Sequence, residues 1–300
     1  MNFSVPAFLF ISGYFVAKKE ISRNNYIKVT QSRLKRILIP YFFWSFLIIL
    51  TSGIISGKIC AKAVLFKLFT GGASTPYYFI LLLSQFYILS HLLVRINTKK
   101  YGFGAVLFLN LFVLVAFYIA RIVLYIDIPK FLYALPFYSW IFFYQYGLLL
   151  GMNSTIESKV IDSHVFFAIL AILGLILSCI EAFLMLKYFK DINFATTTVK
   201  LSSFLYAFSV ISFFLWIKTT IVNWPKCLLL VGDYSFGIYL IHIVFLKIII
   251  VMLSQFKILY IHQPLFQGLA FLLTLIACIG IIYMSRLMFT RATSIKIFGL

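Results

Sequence analysis

The chain has 300 residues, 63% of them hydrophobic and only 11% charged, and its mean hydropathy is +1.07, which excludes an ordinary soluble domain. Its net charge of +19 is the kind of excess that attends nucleic-acid binding. However, the basic residues sit mainly between long apolar stretches, so they read as a topology signal and nucleic acid is not an expected partner.

A membrane-spanning helix needs ~20 apolar residues. In chain order, nine segments meet or approach that length, at about 3–17, 37–55, 76–94, 103–126, 132–151, 164–187, 200–217, 235–253 and 266–285. They are continuously apolar rather than alternating in and out, which predicts helices and not barrel strands. The expected fold class is all-α, a polytopic transmembrane helix bundle of about nine spans. The loops are short, so residues 1–300 are expected to form a single membrane domain with no soluble one.

Charge sets the expected orientation. With the loop after the first span placed in the cytoplasm, cytoplasmic segments hold 16 Lys and Arg and the opposite segments 8. Arg121 and Lys247 fall within spans. The bias predicts Met1 outside, Leu300 in the cytoplasm, and an integral multi-pass protein that also meets anionic lipid heads. The start does not read as a signal peptide. No Lys or Arg precedes Lys18, and Lys18-Lys19-Glu20 stands where small cleavage residues would be. Cys60, Cys179, Cys227 and Cys278 are scattered without paired spacing, which indicates neither a disulfide framework nor a metal site. They read as small apolar packing residues.

Four places carry polar groups with chemical potential. Ser12-Gly13-Tyr14 closes the first span, where Gly permits close helix approach and Ser can hydrogen-bond across a helix pair. Tight packing alone would account for that pattern. Arg33 and Arg36 lie three apart before Pro40 and share a helical face. Their planar donor forks suit a pyrophosphate, and anchoring at the membrane surface suits them equally. Glu181, near the outer end of its span, could orient a hydroxyl-bearing acceptor or pair with Lys187 or Lys190. In GDYSFGIYLIHIVF, residues 232–245, Ser235, Tyr239 and His242 fall at spacings of four and three, on one face. His242 then lies roughly 10 Å into the membrane, where a titratable group usually faces the bundle interior. Imidazole is the side chain best suited to move a proton near neutral pH, which favours function over structure there.

The segments VPAFLFISGYF, RLKRILIPYFFW, TPYYFILLLSQFYIL, FFYQYGLLLGM, LSCIEAFLM and GDYSFGIYLIH together resemble the acyltransferase-3 family of integral membrane acyltransferases, in the family's order and from end to end. The resemblance implies about ten spans in a bacterial plasma membrane. It implies transfer of an acyl group, acetyl foremost, from cytoplasmic acyl-CoA to a cell-surface or exported carbohydrate or glycolipid. Acyl-CoA would be a co-substrate, with no bound cofactor and no metal. Carried over by residue, Ser12, Gly13, Tyr14, Arg33, Arg36 and Tyr239 match donor-binding positions. His242 matches the late helix motif and Glu181 an acidic position found in part of the family, and both are candidate catalytic residues.

The sequence also departs from the family pattern. A first helix bearing a basic residue and the family's histidine base has no counterpart here, and Tyr77-Tyr78 replace a usual tryptophan. The expectation is a chain truncated at its N-terminus relative to the family. A polysaccharide export or flipping component, or an inactive family remnant, are the alternative readings.

Overall fold

The structure is a computed structural model that describes residues 3–18, 26–57, 60–126, 128–189, 192–197, 199–221, 223–256, 262–290 and 293–299. Its helices are α1 (Ser4–Lys18), α2 (Tyr26–Ser56), α3 (Ala61–Thr70), α4 (Tyr78–Asn97), α5 (Gly102–Tyr118), α6 (Lys130–Ala134) and α7 (Ile141–Met152). They continue with α8 (Ser154–Asp162), α9 (His164–Leu184), α10 (Ile192–Ala195), α11 (Leu201–Thr220), α12 (Lys226–Asp233), α13 (Ser235–Ser254) and α14 (Gln263–Met288). Among the described residues there is no strand.

Each of the nine expected spans contains helix, and seven of these helices are long and apolar enough to cross a membrane. The other two are α1, with 15 residues, and α7, with 12. The segment expected at 132–151 is not one helix. Pro136 cannot donate to a helical ladder, and the chain passes through α6, a bend and a 3₁₀ turn at Phe137–Ser139 before α7 begins. Side chains satisfy the freed backbone. Gln85 donates to the Leu135 carbonyl and accepts from the Phe137 N–H, and buried Asn110 donates to the carbonyls of Tyr138 and Ser139. Irregular backbone at membrane depth is tolerated only with such partners.

The chain divides into two compact units. The first comprises Met1–Thr30 and Leu82–Val222. Its centre is a parallel crossing of α1 and α7 made possible by glycine. A methyl group on Gly13 would collide with the Tyr144 carbonyl oxygen, and one on Gly147 with that of Phe10. One turn on, a methyl on Gly151 would stand 2.6 Å from the Ala17 side chain. Small residues that let backbones approach are how helices associate where lipid supplies no hydrophobic drive. Antiparallel to each other, α9 and α11 meet at Gly174 against Tyr206 and at the Ser178 and Ser203 hydroxyls, 3.3 Å apart.

The second unit comprises Gln31–Leu81 and Asn223–Leu300. Tyrosine hydroxyls fasten its backbone: Tyr41 donates to the Leu68 carbonyl at 2.5 Å and Tyr77 to that of Leu240 at 2.5 Å. The antiparallel helices α13 and α14 pack through Ile249, Leu253, Phe266 and Ala270. The last turn is clasped onto α2 and α13. Trp44 Nε1 donates to the Phe298 carbonyl at 2.8 Å. Gly299 has φ of 71°, and a methyl there would meet Leu240 at 2.6 Å, Pro40 at 3.0 Å and Phe236 at 3.1 Å. Only glycine suits both demands.

The cysteines depart from expectation. Only Cys278 is buried, while Cys60, Cys179 and Cys227 are exposed. Cys179 lies on α9, whose apolar faces are largely uncovered by protein, so it is a surface residue of a lipid-facing helix rather than a packing residue.

Candidate active site

In the first unit, the close approach of α1 and α7 brings the end of α1 onto α8 and α11. The Ser12 hydroxyl donates to Tyr87 Oη at 3.2 Å, the cross-helix bond expected of it. Tyr14 donates to Glu157 Oε1 at 2.7 Å. Lys18 and Lys218 each stand 3.7 Å from the same carboxylate, and both ammonium groups lie over the Tyr14 ring, 5.3 and 4.9 Å from its centroid. Lys218 also donates to the Tyr14 hydroxyl at 3.3 Å. The result is a polar clasp joining three helices.

Glu181 belongs to a different end of that unit. Its carboxylate accepts hydrogen bonds from the hydroxyls of Tyr118 and Ser202. Tyr118 Oη in turn accepts the Leu201 N–H at 3.1 Å. Beside them the buried Lys200 donates to the Ala195 carbonyl at 2.8 Å. Two π-helical turns, Ile119–Val123 and Met185–Phe189, flank this cluster, a distortion frequent at functional positions. Lys187 lies over the Tyr188 ring, 5.4 Å from its centroid, and Lys190 falls outside the described residues. Along α11 the Glu181 partner Ser202 and the Tyr14 partner Lys218 are about 24 Å apart at 1.5 Å per residue. Glu181 and Tyr14 therefore belong to separate polar clusters.

Arg33, Arg36, Tyr239 and His242 are in the second unit. Arg33 is half-buried and Arg36 exposed on α2. Tyr239 donates to the Pro76 carbonyl, which fixes its ring 5.8 Å from Phe79 and 6.0 Å from His242. His242 Nδ1 lies 2.7 Å from the Tyr239 carbonyl and 3.1 Å from that of Ile238. A ring nitrogen facing two carbonyls carries the proton, so Nε2 of the neutral ring is the nitrogen with the free lone pair. His242 is in the wall of a cavity of about 380 Å³ between α13 and α14, otherwise lined mainly by apolar groups such as Leu246, Ile250 and Phe266.

A family model for the acyltransferase domain matches residues 1–283. The chain belongs to the acyltransferase-3 family. No curated protein and no solved structure is matched. The chain is thus a helical membrane protein of an acyltransferase family, the class that handles groups other than aminoacyl groups.

Several polar residues of the acyltransferase escaped sequence reasoning. Glu157 and Lys218 sit in ordinary amphipathic and terminal surroundings, and only the fold brings them to Tyr14. Tyr118, Lys200 and Ser202 gather around Glu181 for the same reason. One signal was present in the sequence: Lys200 opens an apolar span, and a buried ammonium there needs an acceptor.

Proposed function

We propose that this enzyme transfers an acyl group, acetyl foremost, from cytoplasmic acyl-CoA to a hydroxyl of a cell-surface or exported carbohydrate or glycolipid. Transfer is direct. A base removes the acceptor hydroxyl proton, the oxygen attacks the thioester carbonyl, the C–S bond breaks, and CoA leaves as the thiolate. His242 Nε2 is the base. The observation that carries this assignment is the pair of carbonyls on Nδ1, which leaves Nε2 as the acceptor nitrogen in the wall of an apolar cavity.

Donor handling falls to Arg33 and Arg36 in the second unit, whose guanidinium groups match phosphate geometry. Tyr239 orients the His242 segment through Pro76. Glu181 steers the acceptor on the outer side, with Tyr118 and Ser202 fixing its carboxylate. The membrane is a bacterial plasma membrane, with the Arg36 end of α2 facing the cytoplasm as the positive-inside rule requires.

The test is incorporation of labelled acetyl from acetyl-CoA into the glycan fraction of inverted membrane vesicles. Incorporation that depends on the expressed protein supports acyl transfer. Unlabelled glycan accumulating inside cells on gene deletion, with no change in acylation, would favour export instead.

A further inference from the structure

The second unit holds a cation that the donor reading above does not use. Arg286, in the last turn of α14, is half-buried, and its guanidinium carbon lies 4.2 Å from the centroid of the Tyr234 ring. Tyr234 belongs to the GDYSFGIYLIH segment. A guanidinium stacked on an aromatic face is held in one plane and still presents its N–H edge. Arg286 Nε is buried and has no hydrogen-bond partner among the described residues. A buried donor left unpaired is destabilising, and an anionic ligand oxygen would offset that cost.

The surroundings place this cation. Ser285, the preceding residue, is 2.6 Å hydroxyl to hydroxyl from Ser294, which ties α14 to the C-terminal turn. That turn reaches α2 through the Trp44 bond to Phe298, and a methyl on its Gly299 would meet Pro40 and Phe236. Arg36 is one helical turn before Pro40, and Tyr234 two residues before Phe236. Arg36 and Arg286 therefore occupy the same end of the second unit.

We infer that Arg286, stacked on Tyr234, forms with Arg36 a binding site for a phosphate or pyrophosphate group. Two sources carry that chemistry at this end: the pyrophosphate of coenzyme A and the phosphate of an anionic lipid head. Assigning the site to coenzyme A rests on the donor reading above; the anion site itself does not.

The test uses the full-length protein in nanodiscs of phosphatidylcholine alone or with phosphatidylglycerol. Coenzyme A binding is measured by calorimetry for wild type, Arg286→Gln and Arg286→Lys, with thermal midpoints in both lipids. The expected result is a loss of coenzyme A affinity of about tenfold or more in Arg286→Gln in phosphatidylcholine, with its thermal midpoint retained and partial recovery in Arg286→Lys. If coenzyme A does not bind wild type, but phosphatidylglycerol raises its midpoint and Arg286→Gln abolishes that rise, the anion site stands with a lipid ligand and the donor reading fails. Equal coenzyme A affinity and an equal phosphatidylglycerol response in wild type and Arg286→Gln would overturn the inference. Should Arg286→Gln fold poorly, Tyr234→Leu removes the stacking face alone and must lower coenzyme A affinity or the phosphatidylglycerol response in the same way.

Discussion

Tyr14 donates to Glu157 across 2.7 Å, and that bond fastens the end of α1 to α8 in a carboxylate environment shared with two lysines. A hydrogen bond to a charged partner is worth more than an ion pair between exposed side chains. Lys18 and Lys218 are about half exposed, at 45% and 57%, against 12% for Glu157. Tyr14→Phe is therefore expected to lower stability by about 1.5–3 kcal/mol, and Lys18→Ala or Lys218→Ala by about 0–1 kcal/mol each. Thermal unfolding in detergent at low and high salt checks the order, and only the lysine variants should lose their effect at high salt.

The glycine crossing of α1 and α7 has no room for a side chain. Gly147→Ala forces a methyl into the Phe10 carbonyl, and overpacking of this kind costs about 1–3 kcal/mol. The corresponding change at Gly104, where an added methyl meets nothing within 4 Å, should be neutral or slightly stabilising. Thermal midpoints of the two variants measured side by side decide it.

Glu181 offers a sharper separation of roles. Tyr118→Phe removes one donor to its carboxylate and also the acceptor of the Leu201 N–H, so a loss of about 1–3 kcal/mol in stability is expected. Glu181→Gln keeps the shape. If Glu181 steers the acceptor, this variant should raise KM for the acceptor severalfold and leave coenzyme A binding unchanged. A loss of thermal midpoint with unchanged KM would make Glu181 a structural carboxylate.

For the arginine pair, Arg36→Ala is expected to weaken coenzyme A binding by about 10-fold to 100-fold, the equivalent of one charge-assisted hydrogen bond. Arg36→Lys should restore only part of it, because an ammonium lacks the planar fork. Calorimetric titration at two ionic strengths measures both effects.

Helix positions were largely legible in the sequence because every span is continuously apolar, and a lipid solvent leaves helices as the way to satisfy such backbone. The break before α7 was legible only as Pro136. What repairs it, Gln85 and Asn110, comes from α4 and α5, and no local pattern links them. The family resemblance rested on segments in order and is matched over residues 1–283. Its candidate residues did not disclose their partners. Ser12 and Gly13 carried a packing signal that the structure uses directly, whereas Glu157, Lys218 and Arg286 gain their meaning from residues tens to hundreds of positions away.

Acyl transfer with His242 as the base is tested by labelled acetyl transfer in membrane vesicles carrying wild type or His242→Gln at equal protein levels. Nδ1 is held by the backbone, so glutamine can keep one hydrogen bond but cannot accept and release the acceptor proton. The expected result is a fall in transfer of about 100-fold to 10,000-fold with coenzyme A binding retained. Equal transfer by both proteins would contradict it.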